Sequence, residues 1–407
     1  MKNQRNFPFV TITKKAEYSI KNGHPWVYDA EITNSTETIK NGELVDVFSQ
    51  KGSYLGTGFY SVHSKIRVRI LSDNANEKFE KSFFERRIKY AIEYRKTVMQ
   101  DDFSCCRLIF GEADGLPGLT VDKFSDIIVT QVLSFGIDNI KDMIYEIVYD
   151  ELTKIGVSVK GIYERNDVAI RELEGLSQYK GWYEKIPHQA VTYTEICENG
   201  VFYKVDFENG QKTGFFLDQK YNRKEISRLA KGKKVLDCFT HTGSFALNAA
   251  FGGAEHVTAV DVSATAIECA KANALRNGLS DRMDFVTADV FDLLPSLEKE
   301  KNNYYDFIIL DPPAFTKSRK TVGNAERGYK EINYRALKLL PRGGYFATCS
   351  CSHFMKDELF VKMLKSAARD AGVSLKQIEA RQQAPDHPIL WNVPETDYLK
   401  FYIFQVV

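Results

Sequence analysis

VLDCFTHTGSF, at residues 235–245, is the stretch that decides the fold of the C-terminal half of this chain. Its apolar run ends at Asp237, and the small and polar residues that follow lead into a helix that begins near Gly243. A strand that ends in an acid and turns into a helix is typical of a parallel α/β sheet, which binds ligands at the carboxyl ends of its strands. The stretch therefore predicts an α/β domain with a ligand crevice after this strand.

Three further apolar runs fit the same sheet, because each of them also ends in an acid. They are HVTAVD at 256–261, FVTAD at 285–289 and FIILD at 307–311. Parallel strands place their carboxyl ends at one edge, so the four acids would lie together there. Four acids in register indicate a site for a nucleoside-containing cofactor rather than unrelated solvated loop residues.

The loop after the first of these strands favours S-adenosylmethionine over a dinucleotide. A dinucleotide fold uses three glycines to bring backbone against a pyrophosphate, whereas only Gly243 is present here, and Asp237 would repel a phosphate. An aspartate suits the cationic amino group of the methionine part instead. Asp261 would accept hydrogen bonds from the ribose hydroxyls, and Asp289 with Val290 would lie beside the adenine.

A second stretch, TGFFLDQK at 213–220, is expected to reach the same cofactor. It follows two Asn-Gly turns, at 199–200 and 209–210, which predict consecutive hairpins. The residues expected to contact the cofactor are Asp218, Gln219, Asp237, Phe239, Thr240, Thr242, Gly243, Asp261, Val262, Ser263, Asp289, Val290 and Asp311.

The composition limits the broad class of the protein. A chain of 407 residues is too long for one ordinary core, so two or three domains are expected. The formal net charge is +1, so a polyanion would have to meet local cationic patches. The seven cysteines show no CxxC and no Cys/His ligand spacing, which predicts reduced thiols, no metal site and a cytoplasmic location. No apolar run approaches the ~20 residues of a membrane span, so no membrane partner is expected.

Three domains are predicted along the chain. Residues 1–75 contain short alternating runs punctuated by glycine turns, which indicates a separate β-rich domain. Residues 76–190 are interpreted as a small α+β middle domain that begins with an amphipathic helix over 80–99. Residues 191–407 contain the α/β sheet and the cofactor site.

One strand of the first domain is a candidate for binding nucleic acid. The run KIRVRI at 65–70 alternates strictly, so Lys65, Arg67 and Arg69 would share one face. Three cations on one strand face could follow a phosphate backbone. Solvated strand faces often carry such charges, which is the alternative interpretation.

The fourth strand of the α/β sheet ends in DPPAF at 311–315. Proline fixes φ and removes a backbone donor, so this loop is stiff. A rigid acid, Asp311, followed by an aromatic residue, Phe315, suits a planar base held beside a methyl donor. Asp311 is therefore a candidate catalytic residue that orients the base.

The fifth strand, YFAT at 345–348, leads into CSCS at 349–352, which provides a candidate nucleophile. Carbon C5 of cytosine is too weak a nucleophile to take a methyl group directly, and a thiolate that adds to C6 would activate it. Nearby cations or the following helix start would favour the thiolate. Cys351 is interpreted as this nucleophile, and Cys349 as a small buried packing residue.

A cationic segment lies between these two loops. From 317 to 338 there are seven lysines and arginines against two glutamates, with two tyrosines interleaved. Such a segment could hold phosphates while a flipped or single-stranded base stacks on an aromatic ring, although a solvated helix face is the alternative. The residues expected to bind RNA are Lys65, Arg67, Arg69, Phe315, Lys317, Arg319, Lys320, Arg327, Tyr329 and Lys330.

Six motifs together resemble one bacterial family. They are HPWV at 24–27, GEADGLPG at 111–118, KTGFFLDQ at 212–219, DPPAF at 311–315, RGYK at 327–330 and SCS at 350–352. In this combination the chain resembles the PUA-domain class I S-adenosylmethionine-dependent methyltransferases, whose best-known type makes 5-methylcytosine in 23S ribosomal RNA. The resemblance implies an N-terminal PUA barrel, a middle α+β domain and a C-terminal seven-stranded Rossmann-like domain. Its last strand, YLKFYIFQ at 398–405, would be antiparallel.

The resemblance also implies a reaction and leaves alternatives open. It assigns the family's nucleophile to Cys351 and makes large-subunit 23S ribosomal RNA the partner; the oligomeric state stays open, with a homodimer as one alternative. Ala314 and Phe315 stand where other RNA cytosine-C5 enzymes carry a second cysteine, and DPPAF approaches the loop of enzymes that methylate base nitrogens. A guanine nitrogen, N7 or the exocyclic N2, is therefore the alternative target. A non-catalytic RNA-binding assembly factor is the remoter one.

Overall fold

The structure is a computed structural model that describes residues 6–300, 302–316 and 318–407. The chain divides into two compact units. Unit 1 comprises Met1–Ile196, Val205–Leu217 and Pro385–Thr396, and unit 2 comprises Cys197–Lys204, Asp218–Ala384 and Asp397–Val407.

Unit 1 begins with a six-stranded sheet and one short helix. The elements are β1 (Phe9–Ile12), α1 (Lys14–Lys21), β2 (Trp26–Tyr28), β3 (Ile32–Ser35), β4 (Leu44–Ser49), β5 (Tyr54–Tyr60) and β6 (Ile66–Ser72). The strand order is β2-β6-β5-β4-β1-β3, in which β1 and β4 are parallel and the other neighbours antiparallel. Helix α1 buries Ala16 and Ile20 against Val10, Val47 and Val68 of the sheet. The β-rich fold predicted for the start of the chain is confirmed.

A five-stranded sheet with two long helices follows in unit 1. The elements are α2 (Lys81–Met99), β7 (Cys105–Phe110), β8 (Leu119–Phe124), β9 (Ile127–Val132), α3 (Phe135–Lys154), β10 (Ile162–Asn166) and β11 (Tyr179–Trp182). The order is β11-β10-β9-β8-β7, with only β9 and β10 parallel. Buried Glu164 accepts hydrogen bonds from Lys141, Tyr145 and Tyr179, so its charge is paired inside the fold. The amphipathic helix expected over 80–99 is α2.

One of the two predicted hairpins forms. Its strands are β12 (Tyr193–Glu198) and β13 (Val201–Asp206). Its turn has a positive φ at both Asn199 (55°) and Gly200 (83°), which is typical of a type I′ turn. The second predicted hairpin is wrong, because no strand follows Asn209 and Gly210 before the next helix in this fully described stretch. The Asp206 carboxylate instead accepts a hydrogen bond from the Asn209 amide at 2.8 Å, which closes a local turn.

Unit 2 is built on a seven-stranded sheet. Its elements are α4 (Lys220–Leu229), β14 (Lys234–Cys238), α5 (Ser244–Phe251), β15 (His256–Asp261), α6 (Ala264–Arg276), β16 (Met283–Thr287), α7 (Val290–Glu300), β17 (Phe307–Leu310), α8 (Val322–Leu339), β18 (Tyr345–Ser350), α9 (Asp357–Asp370), β19 (Leu375–Arg381) and β20 (Lys400–Val406). The order is β16-β15-β14-β17-β18-β20-β19. Strand β20 runs antiparallel to both of its neighbours, while the first five strands are parallel. The predicted reversed last strand is confirmed.

The direction in which this sheet grows reverses at β14. Strands β15 and β16 lie on one side of β14, and β17 and β18 lie on the other. Open α/β sheets bind ligands at such a switch point, outside the carboxyl ends of the strands. Asp237 is the next-to-last residue of β14, and Asp311 directly follows β17. Both carboxylates therefore lie at the crevice that the topology creates.

Candidate active site

Asp237 is fully buried at the end of β14. Its Oδ2 accepts hydrogen bonds from the Thr240 hydroxyl at 2.5 Å and from the Ala246 amide at 2.9 Å. Its Oδ1 is buried and has no hydrogen-bond partner in the part of the chain that the structure describes. Burial raises the pKa of Asp237 to about 8, and the charges of Asp311 and Asp261 add to the increase. A buried carboxylate oxygen without a donor is suited to a cationic group of a ligand.

The loop after Asp237 has an unusual backbone. Phe239 and His241 have φ values of 64° and 51°, a conformation that costs non-glycine residues about 1–2 kcal/mol. Gly243 has φ of 83°, and a Cβ there would lie 3.0 Å from the Cβ of Ala270. The hydroxyl oxygen of Thr242 is buried without a hydrogen-bond partner among the described residues. Strain of this kind is concentrated at ligand sites, where surrounding structure maintains it.

The loop after β15 is organised by Asp261, which is half-buried. Its Oδ2 accepts from the His241 amide at 2.9 Å, and its Oδ1 accepts from the Ser263 amide at 2.9 Å. The Ser263 hydroxyl in turn accepts from the Ala266 amide at the start of α6. Val262 is 70% exposed between them. Each carboxylate oxygen keeps a second lone pair, so ribose hydroxyls could still be held.

The loop after β16 carries Asp289 and Val290, the two residues expected to lie beside the adenine. Asp289 is exposed, and its Oδ1 accepts from the Phe291 amide at 2.8 Å. The side chain of Val290, however, is 2% exposed and packs in the core with Leu294. It is the first residue of α7, and its side chain lies on the side of the helix that faces the core. Phe291 is 41% exposed and presents its ring at this edge instead.

Asp311 is held by two donors at one of its oxygens. The Cys349 thiol lies 2.9 Å from Asp311 Oδ1, and the Gln219 amide nitrogen lies 3.3 Å from the same atom. The amide oxygen of Gln219 accepts from Asn222 at 2.6 Å, which fixes the orientation of the amide group. Burial raises the pKa of Asp311 to about 6, although the thiol contact lowers it. The carboxyl group therefore titrates near neutral pH.

Asp218 lies in the same unit, directly before Gln219. It is 5% exposed, and its Oδ2 accepts from the Tyr398 hydroxyl at 2.7 Å. Its backbone carbonyl accepts from the Ala384 amide at 2.8 Å. The segment that carries Asp218 and Gln219 is thereby bonded to both ends of the connection between β19 and β20.

The two cysteines at the end of β18 differ in exposure. Cys349 is fully buried, and burial together with the charge of Asp311 raises the pKa of its thiol well above the ordinary value. Cys351 follows the strand and is partly exposed. Next to it lies Lys400, which is 6% exposed and donates to the carbonyls of Ser352 at 2.9 Å and Tyr398 at 3.0 Å.

Lys400 is a functional candidate that sequence reasoning missed. It is opposite Ser350 in the pairing of β18 with β20. Burial lowers the pKa of its ammonium group to about 8, and the nearby charges of Asp397, Asp357 and Cys351 act against that decrease. The available signal was a single lysine within the apolar run LKFYIF at 399–404. None of the described residues forms an ion pair with this ammonium group, and a buried unpaired ammonium group is costly, so Lys400 is a candidate for a functional role.

The row of cations expected on β6 is only partly exposed. Lys65 is exposed. Arg67 bonds Asp29, and its side chain is 15% exposed. Arg69 is buried in an ion pair with Glu174, with Nη2 and Oε1 2.7 Å apart. The expectation that Arg69 faces a phosphate backbone is therefore wrong, because a segment far along the chain covers it.

The cationic segment near the Asp-Pro-Pro loop also divides into exposed and buried parts. Lys320 and Arg327 are exposed, whereas Lys330 pairs with Asp370 at 2.6 Å. Tyr329 is fully buried, accepts from the Ser350 hydroxyl and packs against Phe315, with ring centroids 4.6 Å apart.

Tyr329 is therefore a core residue of α8 and not a surface on which a base could stack, which corrects that expectation. Phe315 itself is only partly exposed. Lys317 lies outside the described residues, and of Arg319 the structure describes only the backbone.

Two family models match the chain. A PUA-like domain matches residues 10–73, and an S-adenosylmethionine-dependent methyltransferase domain matches residues 180–404. The chain is 39% identical to the ribosomal RNA large subunit methyltransferase I of Alteromonas mediterranea, over 98% of each chain. It is also 39% identical to the protein of that name from Vibrio cholerae serotype O1, over 98% of this chain and 100% of the relative. A solved methyltransferase complexed with SAH matches with a TM-score of 0.82 at 23% identity, over 98% of this chain and 99% of that one.

A switch-point crevice lined by strand-end carboxylates, on a seven-stranded sheet with a reversed strand, is the arrangement of a class I methyltransferase. The chain belongs to the family of PUA-containing S-adenosylmethionine-dependent methyltransferases, to which the ribosomal RNA large subunit methyltransferase I relatives also belong. Its cofactor is S-adenosylmethionine. The unpartnered Oδ1 of Asp237 and hydroxyl of Thr242 fit the charged methionine part of that cofactor.

The residues that the structure describes contain no group of three or more His, Cys, Asp and Glu side chains that could hold a metal ion. No helix within the same residues is long and apolar enough to cross a membrane.

Proposed function

We propose that this enzyme methylates a base of 23S ribosomal RNA, and that the base is a cytosine modified at C5 through a covalent adduct with Cys351. The ribosomal substrate is supported by relatives named ribosomal RNA large subunit methyltransferase I, which align with the chain over 98% of its length. The PUA-like match at residues 10–73 adds an RNA-binding type of domain to the methyltransferase domain. Such a substrate implies a cytoplasmic enzyme.

The cofactor would be held by the loops at the crevice. Asp237 would accept from its ammonium group, Asp261 would accept from its ribose hydroxyls, and the edge at Asp289 would border its adenine. S-adenosylmethionine supplies an electrophilic methyl group when it is bound.

Cys351 is the residue that would make the base reactive. Its thiolate adds to C6, which makes C5 nucleophilic. Once C5 carries the methyl group, its proton is released to solvent, the bond between sulfur and C6 breaks, and the thiolate is regenerated. Lys400 is buried and interacts electrostatically with Cys351, so its ammonium group would stabilise the negative charge of the thiolate.

Asp311 would orient the base while the thiolate adds. No described residue donates a hydrogen bond to its Oδ2, and the residue is partly exposed, so this oxygen is available to the Watson–Crick edge of a base. With its pKa raised to about 6, the carboxyl group can also share a proton with the ring as electrons move toward C5.

The contrast between the two thiols is the observation that carries the choice of Cys351. Cys349 is buried, with the pKa of its thiol raised and its sulfur bonded to Asp311. Cys351 is the one of the two with exposed surface, and it lies beside a buried ammonium group. A nucleophile needs both access and a stabilised thiolate.

The test combines a trap with a product analysis. RNA that contains 5-fluorocytidine should form a stable adduct with the wild-type enzyme and none with Cys351→Ala, because fluorine cannot leave as a proton does. Cys351→Ala should lose turnover and keep S-adenosylmethionine affinity by calorimetry. Nucleoside mass spectrometry of 23S ribosomal RNA from a deletion strain should lack one 5-methylcytidine. Full activity of Cys351→Ala would contradict covalent catalysis.

A guanine nitrogen, N7 or the exocyclic N2, is the second candidate target. It is favoured by the loop that follows Asp311, in which Pro313 is exposed and the ring of Phe315 is partly exposed. A nitrogen atom needs no covalent activation, so Cys351→Ala would then stay active and the missing nucleoside would be a methylguanosine.

A further inference from the structure

Cys349 occupies the position in β18 where the strand comes closest to the candidate base-orienting acid. Its sulfur lies 2.9 Å from Asp311 Oδ1 and 3.3 Å from the backbone carbonyl oxygen of Leu310. Both of these atoms are acceptors, so the thiol has to be the donor. Proton donation requires the S–H form, and full burial maintains that form.

The same carboxylate oxygen accepts from a second donor, which lies close to the first. The Gln219 amide nitrogen is 3.3 Å from Asp311 Oδ1 and 3.6 Å from the sulfur of Cys349. Gln219 cannot rotate freely, because its amide oxygen accepts from Asn222, whose own oxygen accepts from Arg381 at 3.2 Å. The three side chains of Gln219, Cys349 and Asp311 therefore form one cluster in which every donor has a defined direction.

This arrangement leaves the two oxygens of Asp311 unequal. Oδ1 accepts both donors, while no described residue donates to Oδ2. A carboxylate with one oxygen fixed can rotate only by breaking those bonds. The orientation of Oδ2 is therefore set by Cys349 and Gln219 before any substrate binds.

We propose that Cys349 is a positioning residue for the reaction proposed above: its protonated thiol holds Oδ1 of Asp311, so that Oδ2 faces the base. This role rests on the proposed function, in which Asp311 orients the base that is methylated. The sequence interpretation of Cys349 as simple packing is thereby extended, since the residue is buried and also donates a specific hydrogen bond. It neither adds to the substrate nor changes its own protonation during turnover.

A positioning thiol predicts a specific change in the pH profile. A donor to a carboxylate favours its charged form, so loss of the thiol in Cys349→Ala should raise the pKa of Asp311 above about 6. A net hydrogen bond of ordinary strength corresponds to about 0.5 to 1 pH unit. The limb of the kcat profile that lies near pH 6 should move upward by that amount, and Cys349→Ser, which keeps a donor, should restore most of the original position.

A matched control separates positioning from packing. Cys106→Ala also removes a fully buried thiol, but from β7 in unit 1. It should leave the pH limb in place. If Cys349→Ala lowers kcat equally at every pH and leaves the limb unmoved, the role of Cys349 is structural only and the proposal is wrong.

A second readout does not depend on catalysis. In infrared difference spectra between the wild type and Cys349→Ala, the S–H stretching band of Cys349 should lie at lower frequency than that of a free thiol. It should return toward the free value in Asp311→Ala. A band at the free-thiol frequency, or rapid alkylation of Cys349 in the native enzyme at neutral pH, would overturn the proposal. A lowered band in an enzyme that does not methylate RNA would instead contradict the proposed function alone.

Discussion

Replacement of Asp237 by asparagine should change protein stability and cofactor affinity in opposite directions at alkaline pH. The pKa of Asp237 is about 8 in the folded protein without cofactor, against about 3.9 for an unfolded aspartate. The folded state therefore binds this proton more tightly than the unfolded state does. Stability is lost as pH rises from about 4, and the loss is complete once pH passes about 8.

The magnitude follows from the difference between the two pKa values. A difference of about four units, at about 1.4 kcal/mol each, gives a destabilisation on the order of 5 kcal/mol above pH 8, as an upper bound. Asparagine carries no charge but places an amide where Oδ1 has no partner among the described residues, which costs about 1–3 kcal/mol. Asp237→Asn should therefore be more stable than the wild type by about 2–4 kcal/mol at pH 9 and less stable at pH 4. Urea unfolding of the full chain at both pH values measures this crossover.

Calorimetry of S-adenosylmethionine binding provides the second half of the test. Wild-type affinity should increase with pH up to about 8, because the ammonium group of the cofactor needs the ionised carboxylate, and binding should release a proton. The variant should bind at least tenfold more weakly, with no pH dependence from this group, since a buried charge has lost its partner. A variant that keeps wild-type affinity, or a wild type without this pH dependence, would refute the role assigned to Asp237.

Two further perturbations test other parts of the molecule. Lys400→Met removes the ammonium group that interacts with Cys351, so the thiolate should be less stabilised. Both the alkylation rate of Cys351 and turnover at pH 7 should then fall roughly tenfold, and equal alkylation rates in the two proteins would contradict this role of Lys400. Arg69→Ala leaves the buried carboxylate of Glu174 unpaired and should lower the free energy of unfolding in urea by about 3–5 kcal/mol. The double variant Arg69→Met with Glu174→Gln removes both charges, so it should recover part of that lost stability.

The sheet of unit 2 could be predicted from the sequence because its signal is local. Each buried parallel strand is a short apolar run, and the acids expected at the cofactor site lie at or near the strand ends: Asp237 is the next-to-last residue of β14, and Asp311 directly follows β17. The right-handedness of parallel connections then reduces the number of possible strand orders. The burial of individual side chains is a different kind of fact, because it depends on which remote segment covers them.

Arg69 and Tyr329 illustrate why those side chains were assigned incorrectly. Arg69 follows the alternation of charged and apolar residues in its strand, but its side chain is covered by Glu174, which lies 105 residues later in the chain. Tyr329 lies in a segment rich in cations, yet it is on the side of α8 that packs against the core. In both cases the local sequence pattern is regular, but it does not show which remote segment covers the side chain.

The two thiols at the end of β18 differ in their surroundings because the strand ends at Ser350, between them. Residues two apart in a strand point to the same side, so Cys349 and Cys351 would be equivalent if the strand continued. The strand ends at Ser350, and its antiparallel pairing with β20 ends at the same place, opposite Lys400. Cys349 therefore stays inside the ladder beside Asp311, while Cys351 leaves it and gains exposure next to a buried cation. Because the end of a strand depends on its partner strand, the pairing with β20 distinguishes the buried thiol beside Asp311 from the partly exposed thiol that is proposed to attack the base.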